Sequence, residues 1–108
     1  MSTKDYKISA GDILCGDIGY SMSIPVFYKV VSLTSSGKSA KIARLEAIDC
    51  TDDGFTGTRM PSTKFSARDT KAYTRRINTS DYFGEYVALN GHNLYQWNGK
   101  AKYFDYLD

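Results

Sequence analysis

The sequence predicts an all-β protein of one small domain, a barrel or a roll, with an SH3-like barrel as our first choice. The chain has 108 residues, a length that fits a single domain. Aromatic residues, which favour strands, make up 14% of the chain. Nine glycines and two prolines suit short strands joined by tight turns. We therefore interpret residues 1–108 as one β domain, in which the polar residues 1–10 either extend the fold or fray.

The first half of the chain contains three predicted strands. Residues 10–16 form a short apolar strand bounded by glycines, and residues 17–25 read as a loop. Residues 26–33 are apolar on both faces, which predicts a central strand buried on two sides. Turn residues at 35–38 precede a further strand over residues 40–48. The composition of that stretch would also suit a helix, but its short length and the preceding turn favour a strand.

The middle of the chain is less regular. Residues 49–64 predict an exposed loop with at most one short strand, because Asp, Gly and Pro61 interrupt the pattern. Residues 66–78 are basic, and their second half alternates in a way that predicts a strand. Residues 79–81 then connect to the last quarter of the chain.

The last quarter predicts a three-stranded antiparallel meander over residues 84–106. Asn-Gly occurs at 90–91 and again at 98–99, and this pair is the strongest short hairpin signal because a type I′ turn needs positive φ at both positions. Two-residue turns place Leu89 opposite His92, and Trp97 opposite Lys100.

One face of this meander is aromatic and two lysines lie on it. We favour the interpretation that these aromatics form the barrel core, because five exposed aromatic rings would be a costly patch for a monomer. The alternative is a binding surface for single-stranded nucleic acid or for a protein. The face comprises Tyr86, Tyr95, Trp97, Phe104 and Tyr106 with Lys100 and Lys102.

The sequence contains few candidate catalytic residues, so we expect the protein not to be an enzyme. His92 is the single histidine, and no local signature joins it to Cys15 as a catalytic pair. Cys15, Cys50 and His92 are too few for a structural zinc site, and neither an EF-hand nor a phosphate-binding glycine motif occurs. We expect no cofactor and no metal. We expect both cysteines to be reduced and partly buried, with a disulfide between them as the open alternative.

Net charge and hydropathy limit the classes of partner that the sequence predicts. The formal net charge of +2 gives weak support to nucleic-acid binding. No apolar run reaches the length of a membrane span, and the first residues do not read as a secretory signal, so we expect a cytoplasmic protein with no membrane partner. The candidate binding residues are the basic stretch and the aromatic face, namely Arg68, Lys71, Tyr73, Arg75, Arg76, Tyr86, Tyr95, Trp97, Lys100 and Lys102. The basic stretch would equally be explained as a charged edge strand that discourages aggregation.

Several short motifs occur in order along nearly the whole chain from Gly11 onward. They are Gly11-Asp12-Ile13, Gly19-Tyr20, the strand VFYKVV at 26–31, Gly54-Phe55, Pro61, Arg75-Arg76, and YQWNGK at 95–100 with Tyr103. In these the chain resembles a group of small uncharacterised proteins carried by bacteriophages and plasmids. The resemblance implies an accessory gene of a mobile element that acts in a bacterial cell.

The function expected from that resemblance is binding and inhibition of a host bacterial protein, including a component of a defence system. The alternative is a small nucleic-acid-binding barrel that uses the basic and aromatic residues. The near-neutral charge favours the protein target.

Overall fold

A computed structural model describes residues 7–18, 24–52, 56–81 and 84–105, with backbone alone at 51–52, 56 and 103–105. Within these ranges the protein is all β, as predicted, and no residue is helical. The strands are β1 (Ile13–Asp17), β2 (Pro25–Leu33), β3 (Ser39–Asp52), β4 (Thr56–Phe65), β5 (Ala72–Ser80), β6 (Gly84–Leu89), β7 (His92–Gln96) and β8 (Lys102–Asp105). Tyr106, assigned above to the aromatic face, and the paired motifs Gly19-Tyr20 and Gly54-Phe55 lie outside the described residues.

Six of the strands form a barrel-like ring. Antiparallel ladders run in the order β2-β1-β7-β6-β5-β3, and a further ladder between β2 and β3 returns to the start. β2 thus has a neighbour on each side, which confirms its central position. The predicted burial on both faces fails in its last third, where Val31 is 44% and Leu33 36% exposed. Such a ring leaves few free strand edges, a common solution for small sheets of short strands.

The core of the ring is aliphatic. Alternate residues of each strand point inward, and they include Leu14, Val30, Ile42, Val87 and Leu94, each at most 1% exposed. Tyr28 is the aromatic residue among the buried members of this cluster. Our favoured interpretation, that the aromatic face of the meander fills the barrel, is therefore wrong for Tyr86 and Tyr95, and the side chain of Phe104 is not among those described. In β6 and β7 the inward positions are held by Val87, Leu89 and Leu94, and the tyrosines alternate with them on the other face.

The first predicted hairpin is confirmed in its register. Leu89 pairs with His92 and Val87 with Leu94, across a turn in which Asn90 has φ 53° and Gly91 has φ 82°. Both central residues are left-handed, as a type I′ turn requires.

The second predicted hairpin is not formed. Gly99 has φ 82°, but Asn98 is not in the left-handed region, so this turn cannot be type I′. The free edge of β7 pairs with β1, where Cys15 lies opposite Tyr95, and β8 pairs with β4 instead. The chain therefore leaves the ring after β7 because the place of a third meander strand is already occupied.

β3 is longer than predicted and belongs to two sheets. Its first part, Ala40–Arg44, pairs with β2, and the register with β4 shifts between Leu45 and Ala47. Beyond this point β3, β4 and β8 form a second antiparallel sheet. The prediction of a loop over residues 49–64 is therefore wrong over most of its length, because the chain pairs there in spite of its turn residues. Pro61 lies past the end of the ladder between β4 and β8, where its missing N–H disrupts no pairing on that side.

Residues 7–10, the described part of the N-terminal segment, pack against the ring and are not frayed. Ile8 is 4% exposed and belongs to the core, and its N–H donates to Oε1 of Glu85 at 2.7 Å. Residues 1–6 lie outside the described residues. Ile8 therefore packs this described part of the segment against the ring.

Candidate binding surface

The outer side of β5, β6 and β7 presents a continuous row of polar and aromatic side chains. Paired residues of antiparallel strands point to the same face, so the buried Ala40 places its partner Arg75 on the core side and Arg76 on the outer side. In the same way Val87 and Leu94 are buried, so the residues that alternate with the inward positions along β6 and β7 lie on the outer side. We call this surface the tyrosine face, and its members are Arg76, Asn78, Tyr86, Ala88, Asn93 and Tyr95.

Two tyrosine rings lie at the centre of the tyrosine face. The ring centroids of Tyr86 and Tyr95 are 5.2 Å apart with a tilt of 38° between the ring planes. Each tyrosine is half-buried, so one part of the ring supports the pair and the other part remains accessible. Asn93 Nδ2 donates to the Tyr95 hydroxyl at 3.3 Å, which fixes that hydroxyl at the surface. The pair is a rigid aromatic platform, since each ring limits the rotamers of the other.

The tyrosine face carries positive charge and no carboxylate. Within β5, β6 and β7 the acidic residue is Glu85, which lies on the core-facing side and accepts the N–H of Ile8. Arg76 is exposed on the tyrosine face, and the exposed Lys41 of β3 pairs with Thr74 beside it. The positive charge is confined to the outer side of these three strands and of the adjacent β3, because the exposed Asp17 of β1 lines the same cavity as Tyr95 and Asn93.

A cavity of about 440 Å³ adjoins Tyr95 at the border with the second sheet. It is lined by residues of both sheets, including Cys15, Asp17, Asn93, Tyr95 and Lys102. Burial raises the pKa of the Cys15 thiol to about 11, although the positive charge of Lys102 opposes this shift. The thiol is therefore protonated and a poor nucleophile at neutral pH.

Trp97 lies on the same outer side as Tyr95 but is used in packing. Its ring meets the fully buried Phe27 edge-on, with centroids 6.2 Å apart and planes at 79°. Its indole N–H donates to the carbonyl of Lys100 at 2.7 Å, and the amide of Lys100 donates to Asn98 Oδ1. Trp97 thus packs against β2 of the ring, and Lys100 is held at the exposed turn beside it.

The basic stretch does not form one surface with the tyrosines. Tyr73 points toward the core and donates its hydroxyl to Asp69, and the guanidinium of Arg75 lies 5.4 Å from the Tyr73 ring centroid. Arg68 and Lys71 are exposed in the loop between β4 and β5. Of the five basic-stretch candidates, Arg76 alone joins Tyr86 and Tyr95 on the tyrosine face.

Sequence reasoning missed the small polar members of this face. Strand alternation placed Asn93 on the aromatic face without naming it as a binding residue, whereas Asn78 joins the face through the pairing of β5 with β6, which the sequence did not indicate. Arg44 and Arg59 were also missed, the first as an ordinary strand residue and the second within a supposed loop. The ion pair between Arg59 Nε and Asp49 Oδ1, at 2.8 Å, shows that this supposed loop is ordered.

Both cysteines are free thiols, Cys15 half-buried and Cys50 exposed, so the expected partial burial is wrong for Cys50. No group of three or more potential ligands among the described residues could hold a metal ion. Within the same residues no helix is long and apolar enough to cross a membrane.

Comparison of the chain with protein-family models, with curated proteins and with solved structures gave no match in any of the three.

Proposed function

We propose that this chain is a non-enzymatic binding protein that attaches to a partner protein through the tyrosine face. The observation that carries the proposal is the accessible Tyr86–Tyr95 pair on a sheet surface that holds Arg76 and no carboxylate. Tyrosine and arginine are the residues that most often dominate binding energy at protein interfaces. Because Tyr86, Tyr95 and Arg76 lie on paired strands, their backbone is already ordered and they lose little conformational freedom on binding.

The charge of the tyrosine face favours an acidic partner surface. Arg76 is exposed on this face and Lys41 is exposed beside it, and complementary charge speeds association and excludes partners with like charge. The asparagines beside the tyrosines add hydrogen-bonding groups that adapt to the partner.

The geometry of Cys15 and His92 supports a role without catalysis. His92 pairs with the core residue Leu89 and so points to the core side, whereas Cys15 pairs with Tyr95 on the outer side. A histidine on the opposite face cannot act as the base for this thiol. The raised pKa of Cys15 also argues against catalysis, because the thiol stays protonated at neutral pH.

The biological setting of the proposal comes from the resemblance to bacteriophage and plasmid proteins. In that setting the partner is a bacterial host protein, such as a defence component, and binding in the cytoplasm inhibits it. A small rigid face on a stable sheet suits an inhibitor, because it needs to cover a target rather than change it.

Single-stranded nucleic acid is the second candidate partner. Bases stack on aromatic side chains while nearby cations neutralise the phosphates. The absence of carboxylates from β5–β7 on the outer side is the specific observation in its favour.

Affinity capture from bacterial lysate, with and without nuclease, tests both candidates. The wild-type chain is compared with Tyr86→Ala and with Phe65→Ala, which removes an exposed aromatic from the second sheet. We expect a stoichiometric protein that survives nuclease, is retained by Phe65→Ala, and binds Tyr86→Ala at least about tenfold more weakly, as loss of an interface anchor predicts.

Two results would contradict the proposal. Recovery of nucleic acid alone, with affinity that falls steeply as salt rises, would replace the protein partner by the second candidate. Equal binding by wild type and Tyr86→Ala would show that the tyrosine face is not the interface.

A further inference from the structure

The positive charge of the chain is concentrated in two stretches that pair with each other. Residues 25–45 and 72–80 contain six of the fourteen lysines and arginines and none of the twelve aspartates and glutamates. The rest of the chain therefore has eight of these cations against all twelve carboxylates. β3 pairs with β5 over residues 39–43, so the two basic stretches lie side by side in the ring. The formal net charge of +2 thus conceals a basic region beside the tyrosine face.

Three exposed cations of this region lie together where β3 pairs with β5. Lys41 pairs with Thr74 on the outer side, so Arg76 is its diagonal neighbour, at about 7–8 Å for such positions. The carbonyl of Lys38 accepts the N–H of Ile77 at 2.9 Å, which holds the β2–β3 turn alongside Arg76. We call Lys38, Lys41 and Arg76 the basic cluster, and all three are exposed.

No carboxylate offsets the charges of the basic cluster. Among the described residues the ion pair joins Arg59 to Asp49 in the second sheet, and no member of the cluster takes part in one. Asp69 lies on the core-facing side, where it accepts the hydroxyl of Tyr73. Like charges on neighbouring strands repel each other, so the cluster costs stability in the free protein. An anionic ligand would relieve that cost.

Protection of a strand edge does not explain the basic cluster. β5 has β3 and β6 as neighbours, and β3 has β2 and β5, so within this part of the ring neither strand has a free edge to protect. Charged residues discourage aggregation at edges that would otherwise pair with another chain. The alternative interpretation of the basic stretch as a charged edge strand is therefore wrong for Arg76, and a binding role is the better explanation.

The basic cluster is continuous with the tyrosine face through Arg76. Asn78 pairs with Tyr86, so Tyr86 is the diagonal neighbour of Arg76 on the next strand. Lys41, Arg76 and Tyr86 thus form a diagonal row across β3, β5 and β6, with steps of about 7–8 Å. Alternate residues of an extended peptide are about 6.4–6.8 Å apart, since each residue advances the chain by half of that. One face of an extended peptide therefore matches the row.

From this geometry we propose that the basic cluster binds an extended acidic segment of the partner, an inference that rests on the proposed protein partner. Carboxylates at alternate positions lie over Lys41 and Arg76, and the next side chain of that face lies against Tyr86. The guanidinium holds a carboxylate by two parallel hydrogen bonds, and the exposed lysines speed association. The half-buried Tyr86 packs on Tyr95 and offers limited area for base stacking, which favours a peptide over single-stranded nucleic acid.

Fluorescence anisotropy at low salt tests the proposal with a labelled peptide, Glu-Ser-Glu-Ser-Glu-Ser-Trp, as the probe. We expect saturable binding to the wild type, and binding about tenfold weaker to the double variant Lys41→Gln with Arg76→Gln, because each exposed ion pair contributes up to about fivefold. The matched control is Lys64→Gln with Lys100→Gln, which removes the same charge away from the basic cluster and should bind like the wild type. All four positions are exposed, so both variants should keep their fold.

The outcomes separate this inference from the proposed function. Unchanged affinity in the Lys41 and Arg76 variant, or an equal loss in the control, would overturn the inference. If the peptide does not bind while Tyr86→Ala still loses the protein captured from lysate, the acidic segment is wrong and the protein partner stands. If an oligothymidylate binds more tightly than the peptide and displaces it, both the acidic segment and the protein partner are wrong, and the row binds nucleic acid.

Discussion

Replacing Gly16 by alanine should test the closest packing between β1 and β7. Gly16 pairs with the core residue Val26, so an added Cβ would point inward. That Cβ would lie 2.6 Å from Cδ2 of Leu94 and 3.0 Å from the carbonyl oxygen of Asn93. Carbon atoms pack best at about 3.5–4.0 Å, so the Leu94 methyl would have to move by roughly 1 Å.

The expected cost follows from how little room Leu94 has. Its side chain is 1% exposed and lies within the core cluster, so it cannot turn away into solvent. Overpacking of this kind costs about 1–3 kcal/mol, while replacing a strand glycine by alanine regains about 0.5–1 kcal/mol of chain entropy. We therefore expect Gly16→Ala to lower the free energy of unfolding by about 1–2 kcal/mol.

Urea unfolding followed by Trp97 fluorescence measures this change. Leu94→Val is the partner variant, since it removes the methyl that the new Cβ would meet at a cost of about 1 kcal/mol by itself. In the double variant the clash is largely gone, so its loss should be smaller than the sum of the two single losses by about 1 kcal/mol. A Gly16→Ala protein as stable as the wild type, or strictly additive losses, would refute the packing of β1 against β7.

Three further predictions concern the turn after β7 and the two thiols. Gly99→Val should destabilise the fold by about 1–2 kcal/mol, because Gly99 has φ 82° and a β-branched residue resists that region, whereas Gly99→Asn should cost less; equal thermal midpoints for the two would contradict this. Because the pKa of Cys15 is raised in the folded chain, the unfolded chain loses the thiol proton first as pH rises. The contribution of Cys15 to the free energy of unfolding is therefore fully present below pH 9.0 and is lost as pH rises toward about 11. With allowance for partial exposure the loss is about 1–2 kcal/mol, and Cys15→Ala should lack it in unfolding curves taken at pH 8 and pH 11. At pH 8 an alkylating reagent should modify the exposed Cys50 well before Cys15, and the reverse order by mass spectrometry would contradict the buried position.

The sequence by itself determined the fold class and the local elements with strong short-range signals. The type I′ hairpin at Asn90-Gly91 was predictable with its register, because positive φ at two adjacent residues is a local requirement that Asn-Gly satisfies. The two faces of β6 and β7 were also predictable, since alternation along a strand is local.

The sequence could not determine which of those faces would be inside. Each face of β6 and β7 carries apolar residues, and the choice depended on the shape of the space within the ring. That space is filled by aliphatic side chains such as Val30, Ile42 and Leu94, which left the tyrosines outside. Burial is a property of the assembled sheet, so a strand with two apolar faces does not specify it.

Only the tertiary structure decided the long-range pairings and the surfaces that they assemble. The second Asn-Gly pair has the same local signal as the first, but β1 occupies the edge of β7 and the chain continues to β4. Lys41 and Arg76 become neighbours because β3 pairs with β5, although the two residues are far apart in the sequence. Competition among distant strands for the same hydrogen-bonding edge is settled by the total packing of the chain, and no short stretch of sequence contains that information.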